Sequence, residues 1–135
     1  MDDKLIDEAE VLFRQVHPTF YENGVPSSQP FKPTEKDENL LSVDRSSLTS
    51  AAASHESYVA GGLSSSAVYG LTVGEFLVET IDCRPDPLEE NEGQAKNEAH
   101  SVADYSQHKS NQQKIIAKRL KIRAIARGRL HPPPE

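Results

Sequence analysis

The apolar residues of this chain come in short blocks parted by long polar stretches, and each block is read for its period and its boundaries. Val11 to Val16, in Val-Leu-Phe-Arg-Gln-Val, predicts a strand that Pro18 helps to terminate. Before it, Leu5-Ile6-Asp7-Glu8-Ala9-Glu10 predicts a short helix, with acids near the N-terminus where the helix dipole favours them. Residues 19–39 contain Gly24, Pro26, Pro30 and Pro33 and read as loop, with a short extended segment around Ser27 to Phe31. Leu40 to Val43 predicts a second strand, and Asp44 to Thr49 leads into a helix from about Ser50 to Ala60. Thr49 or Ser50 is its cap, and Gly61-Gly62 supplies the stop.

The second half follows the same rules. Ala67 to Val73 is β-branched and aromatic, hence a strand, with Gly70 marking a bulge or a close approach. Phe76, Leu77 and Val78 are consecutive and give no helical period, so residues 74–80 are assigned to a continuing strand. Residues 84–97 read as an acidic surface loop, and His100 to Tyr105 as a strand. A long helix from about Gln107 to Arg127 ends at Gly128. Its Ile116, Ala117, Leu120 and Ala124 share one sector, while Ile115 and Ile122 fall on the other side, which suggests contact with two surfaces. The expected fold is α+β: a small, mostly antiparallel sheet of four to five strands, one mid-chain helix and a long basic C-terminal helix packed on the sheet. Residues 1–130 make one domain, and 131–135 a flexible proline-rich tail.

Composition narrows the function classes. No apolar stretch approaches the roughly 20 residues of a membrane helix, and the start Met-Asp-Asp-Lys is acidic where a signal peptide is basic, so a soluble cytoplasmic protein is expected. The single cysteine, Cys83, excludes an intrachain disulfide, and beside Arg84 it reads first as a small strand-end residue and second as a reactive thiol. The net charge of −6 conceals a segregation: residues 1–105 carry −13 and residues 106–135 carry +7. An acidic body with a basic terminal segment either pairs with itself or offers that segment to another acidic surface.

Known chemistries fail on spacing. The five histidines, His17, His55, His100, His108 and His131, lack a close pair of the kind a zinc site uses, so no metal is expected. Gly62-Leu63-Ser64-Ser65-Ser66 lacks the last glycine of a hydrolase elbow, and Gly61-Gly62 follows a helix where phosphate loops follow a strand. Three polar runs near one another remain, and they nominate Arg14, His17, Ser27, Ser28, Gln29 and Arg45 as a binding surface. Lys114, Lys118, Arg119, Lys121 and Arg123 form a basic patch, read first as cationic side chains covering an acidic domain, next as a contact for a protein partner and last as a phosphate tracker.

An Arg late in a first strand, a Ser within a second and a Glu on a later one resemble, in order, the Arg-Ser-Glu layout of ADP-ribosyltransferase-like folds. That resemblance implies that Arg14 holds the phosphates of nicotinamide adenine dinucleotide, Ser42 supports the nicotinamide pocket and Glu75 or Glu79 stabilises the transition state. The chain departs from the family pattern, with Leu41-Ser42-Val43 for a Ser-Thr-Ser run and Glu75-Phe76-Leu77-Val78-Glu79 for a Glu-x-Glu pair. The primary expectation is therefore a non-enzymatic accessory protein that needs no cofactor and acts on a protein partner, for instance as an acidic inhibitor or immunity-type protein. An enzyme using that dinucleotide is the alternative, and nucleic-acid binding through the C-terminal helix the second.

Overall fold

The computed structural model describes residues 3–91 and 95–133. Its core is a five-stranded antiparallel sheet made of β1 (Val11–Val16), β4 (Leu40–Arg45), β5 (Ala67–Thr72), β6 (Asp82–Pro85) and β7 (His100–Asp104), in the order β5-β1-β4-β7-β6. A small hairpin joins β2 (Tyr21–Glu22) to β3 (Val25–Pro26). The α+β architecture, the mid-chain helix α1 (Ala51–Ala60) and the long C-terminal helix α3 (Ser110–Arg127) agree with the sequence pattern.

Alternation divides the sheet into two faces. Leu12, Val16, Leu41, Val43, Tyr69, Leu71 and Ala103 join Ile116, Ala117, Leu120 and Ala124 of α3 in one apolar core. Between those positions, Gln15, Ser42, Asp44 and His100 belong to the opposite face, where α1 packs. Ser50 caps α1 through the amide of Ala53 at 3.1 Å, as its position before three alanines predicts.

Three local assignments are corrected. Residues 73–78 form a helix, α2 (Val73–Val78), in place of the expected strand, because Thr72 and Glu75 close a capping box: the Thr72 hydroxyl accepts from the Glu75 amide at 3.0 Å, and the Glu75 carboxylate accepts from the Thr72 amide at 2.8 Å. Leu5 to Glu10 is not helical. Asp7 accepts locally from the amides of Ala9 and Glu10, and the Leu5 amide donates to the Cys83 carbonyl, which lays the segment beside β6. Around Ser27 to Phe31 only Val25–Pro26 is extended, and Gln29–Phe31 is a 3₁₀ turn with Pro30 in its first turn.

Three features outside the expected elements escape the sequence assignment. Asn23 and Gly24, both at positive φ (57° and 76°), turn the β2–β3 hairpin. Asp82–Pro85 is an edge strand, where a proline costs no ladder bond. His131, assigned by its prolines to the tail, accepts from the Val68 amide at 2.8 Å, while the Leu130 amide donates to the Val68 carbonyl, so the chain is held to the β5 edge at this point. Pro134 and Glu135 lie outside the described residues.

A candidate ligand cleft at the parting of β1 and β4

The two central strands do not stay paired. β1 meets β5 along six residue pairs, but meets β4 only at Leu12–Arg45 and Phe13–Asp44. A continued ladder would place Gln15 opposite Ser42; instead the strands part. The Ser42 carbonyl, freed in this way, needs a partner, and Arg14 supplies it. Its Nε donates to the Pro30 carbonyl at 2.6 Å and its Nη1 to the Ser42 carbonyl at 3.1 Å, tying the 3₁₀ turn and β4 to β1. Among the described residues Nη2 has no hydrogen-bond partner. The packing of protein around this half-buried guanidinium lowers its pKa from the ordinary arginine value, yet a group so basic stays charged.

Above the parting lies a cavity of about 320 Å³. Arg14, Gln15, Ser42, Asp44 and His100 line it from the sheet, Ser54, Ser57 and Tyr58 from α1, and Leu88 and Asn97 from the connection between β6 and β7. One wall is fixed by a chain of hydrogen bonds. Asn97 donates to Asp44 at 2.9 Å, Ser54 donates to the other Asp44 oxygen at 2.6 Å, and Gln15 donates to Ser54 at 3.0 Å. Ser65 donates to Gln15 at 2.8 Å. Such a satisfied network locks rotamers, so the wall is preformed.

His100 is oriented from behind. Its Nδ1 lies 2.8 Å from the Asp86 carbonyl and 3.3 Å from the Asp86 carboxylate. A carbonyl can only accept, so Nδ1 carries a proton, and the tautomer with its single proton there offers Nε2 as an acceptor. Nε2 has no hydrogen-bond partner among the described residues. The cleft therefore combines an uncommitted cationic donor, an uncommitted acceptor and the exposed hydroxyl of Ser42.

The sequence nominees divide between this cleft and other places. Arg14 and Ser42 meet in it. Glu75 does not line it: it serves the α2 capping box and pairs with Arg127 at 2.7 Å. Glu79 is buried and held by Arg119 at 2.6 Å. The Arg-Ser-Glu set is thus not assembled around one cavity. Arg45 is bound by both carboxylate oxygens of the buried Glu10. His17 accepts from the Thr19 amide at 3.0 Å and Ser27 from the Gln29 amide at 3.3 Å; Ser28 precedes that turn and the Gln29 side chain is exposed. These four shape the loop beside the parting and do not line the cavity.

Asp44, Ser54, Asn97 and His100 escaped sequence reasoning. The signal available was the alternation of Ser42 and Asp44 with buried Leu41 and Val43, which puts both on one face. Cys83 is buried on β6, where burial and then Asp82 push its thiol up to about 12, so it is not a reactive thiol. Among the described residues no three His, Cys, Asp or Glu side chains gather as a metal site, and no helix is long and apolar enough to cross a membrane. Comparison with known proteins finds no matching family model, no similar curated protein and no similar solved structure.

Proposed function

We propose that this protein binds a small polar ligand in the cleft between β1 and β4. The ligand presents an anionic or carbonyl oxygen to Arg14 and a hydroxyl or amide N–H to His100. The reading rests on one observation: the arginine that holds the parted strands has two of its nitrogens bonded to protein while the third remains uncommitted. Preformed clefts with a few convergent polar groups are where small molecules bind, and about 320 Å³ is near the lower end of their sizes. Binding is favoured over a completed reaction centre. Glu75 stands elsewhere, and among the described residues no hydroxyl or thiol in the cleft is hydrogen-bonded to His100.

The test is a titration of the isotope-labelled full chain, followed by amide shifts, with inorganic phosphate, lactate, adenosine and nicotinamide adenine dinucleotide. At least one is expected to shift Gln15, Ser42, Asp44, Ser54 and His100 together and saturably, and Ser57→Trp, which fills the cleft from α1, abolishes the response. If none of the four produces a saturable shift at these amides at millimolar concentration, the reading fails.

A further inference from the structure

On the other side of the sheet, α3 turns a second apolar stripe outward. Ile122 is 67 % exposed, Ile115 52 % and Ile125 38 %, and Val78 at the end of α2 is 65 % exposed. Positions 115, 118, 122 and 125 follow the i, i+3, i+7, i+10 spacing of one helical face, a stripe of about 15 Å at 1.5 Å per residue. Its N-terminal end is concave: Val78 and Ile115 border one shallow hollow whose other walls are largely polar, with His108, Gln112 and the Glu79–Arg119 pair. β-branched residues lower helix propensity and expose apolar area, so nothing in the stability of α3 itself favours isoleucine at these positions.

Charge selects the occupant. Arg119 and Arg127 are consumed by Glu79 and Glu75, but Lys114, Lys118 and Lys121 make no ion pair among the described residues. Lys118 lies on the stripe, and Lys114 and Lys121 border it along one side. A second copy docked through the same face would set lysines against lysines. A nucleic acid would satisfy the lysines and gain nothing from the isoleucines, and a flat membrane would leave the hollow unfilled. A helix with its own apolar stripe bordered by Asp or Glu satisfies all three features.

We infer that the outward face of α3 docks an acidic amphipathic helix of another protein. Apolar side chains of that helix cover Val78, Ile115, Ile122 and Ile125, with one at the apolar rim of the hollow, while its carboxylates pair with Lys114, Lys118 and Lys121. This surface is independent of the cleft, so the two proposals stand or fall separately.

The probe is a labelled designed peptide with leucine at heptad positions a and d and glutamate at e and g, whose like charges prevent its own pairing. Its scrambled counterpart has the same composition. Fluorescence anisotropy with the full-length protein is expected to show saturable binding of the first only, weakened at least about tenfold by Ile115→Ser with Ile122→Ser. Lys114→Glu with Lys118→Glu is expected to weaken it likewise and to flatten its salt dependence. These positions are exposed, and unchanged thermal transitions confirm that the variants fold. Equal binding of the scrambled peptide overturns the inference. So does tighter binding of phosphatidylserine vesicles or of a duplex oligonucleotide, absence of binding at millimolar peptide, or a dimer of the protein alone that Ile122→Ser dissolves.

Discussion

Arg14 reaches Ser42 across a gap that its own strand opens: Nη1 donates to the Ser42 carbonyl at 3.1 Å just beyond the point where β1 and β4 stop pairing. The same guanidinium holds the Pro30 carbonyl at 2.6 Å, so one side chain stands in for a ladder partner of β4 and ties the 3₁₀ turn to the sheet. Methionine keeps much of the packing and none of the donors. Arg14→Met is expected to lower stability by about 2–3 kcal/mol in urea denaturation, because two carbonyls lose charged donors in a partly solvated site. Lysine, a point charge without the fork, recovers only part of this. A loss below about 0.5 kcal/mol would mean that the gap is held open by something other than Arg14.

Glu10 and Arg45 make the fold sensitive to acid. The Glu10 side chain is 4 % exposed and accepts from Arg45 through both oxygens, and from the Ser47 amide and hydroxyl. Burial raises this carboxyl's pKa, but the bonds from Arg45 and Ser47 outweigh burial and hold it below the ordinary 4.5. A folded-state pKa below the unfolded one means that the ionised pair stabilises the protein above the unfolded value, and that this stability is lost as pH falls through the folded value. Glu10→Gln should therefore cost about 2 kcal/mol at neutral pH, with the two proteins converging in acid. Thermal melts between neutral and strongly acidic pH check it; a gap that stays constant would show that charge is not its source.

How much was legible follows from the range of the forces involved. β1, β5 and β7 and the helix capped by Ser50 are written in local alternation, propensity and capping, and all appear at their expected places. α2 was legible too, in Thr72-Val73-Gly74-Glu75, but the consecutive apolar residues Phe76 to Val78 pulled the assignment toward a strand. The Asn23-Gly24 turn is a similar local signal inside a stretch taken for loop. The cleft was half legible. Arg14 and Ser42 stood out as polar residues in strand contexts, whereas His100, Asn97 and Ser54 join them only because β7 inserts between β4 and β6 and α1 folds back across β1. No sequence period encodes that long-range placement. Nor could local pattern reveal that Arg45, Arg119 and Glu75 each have a fold-building partner 35 to 52 residues away.

Cys83 should resist alkylation in the native protein. With its thiol at about 12, the thiolate fraction at mildly alkaline pH is on the order of one in ten thousand, and the side chain is buried besides. The Arg84 cation favours the thiolate, but its guanidinium is engaged by Asp104 at 3.0 Å. Iodoacetamide labelling followed by mass spectrometry is expected to be slow in buffer and to accelerate through the urea transition, tracking unfolding. Complete modification within minutes in native buffer would contradict the burial of this strand.

Gly70 and Leu130 join the end of the chain to the sheet. A Cβ added at Gly70 would lie 2.7 Å from Leu130 Cδ1 and 2.7 Å from Val11 Cγ1, so alanine there must displace both. The leucine terminus can rotate away, but valine is stiff about χ1 and yields less. Gly70→Ala is expected to cost about 1–2 kcal/mol by overpacking. The damage should begin where Leu130 and His131 bond to Val68, visible as faster hydrogen exchange at the Val68 and Leu130 amides. Leu130→Ala in the Gly70→Ala background removes one of the two clashes, so the double variant should lose less than the sum of the single losses while remaining below wild type. Strict additivity would show that Leu130 does not rest on Gly70, and full recovery would show that Val11 gives way without cost.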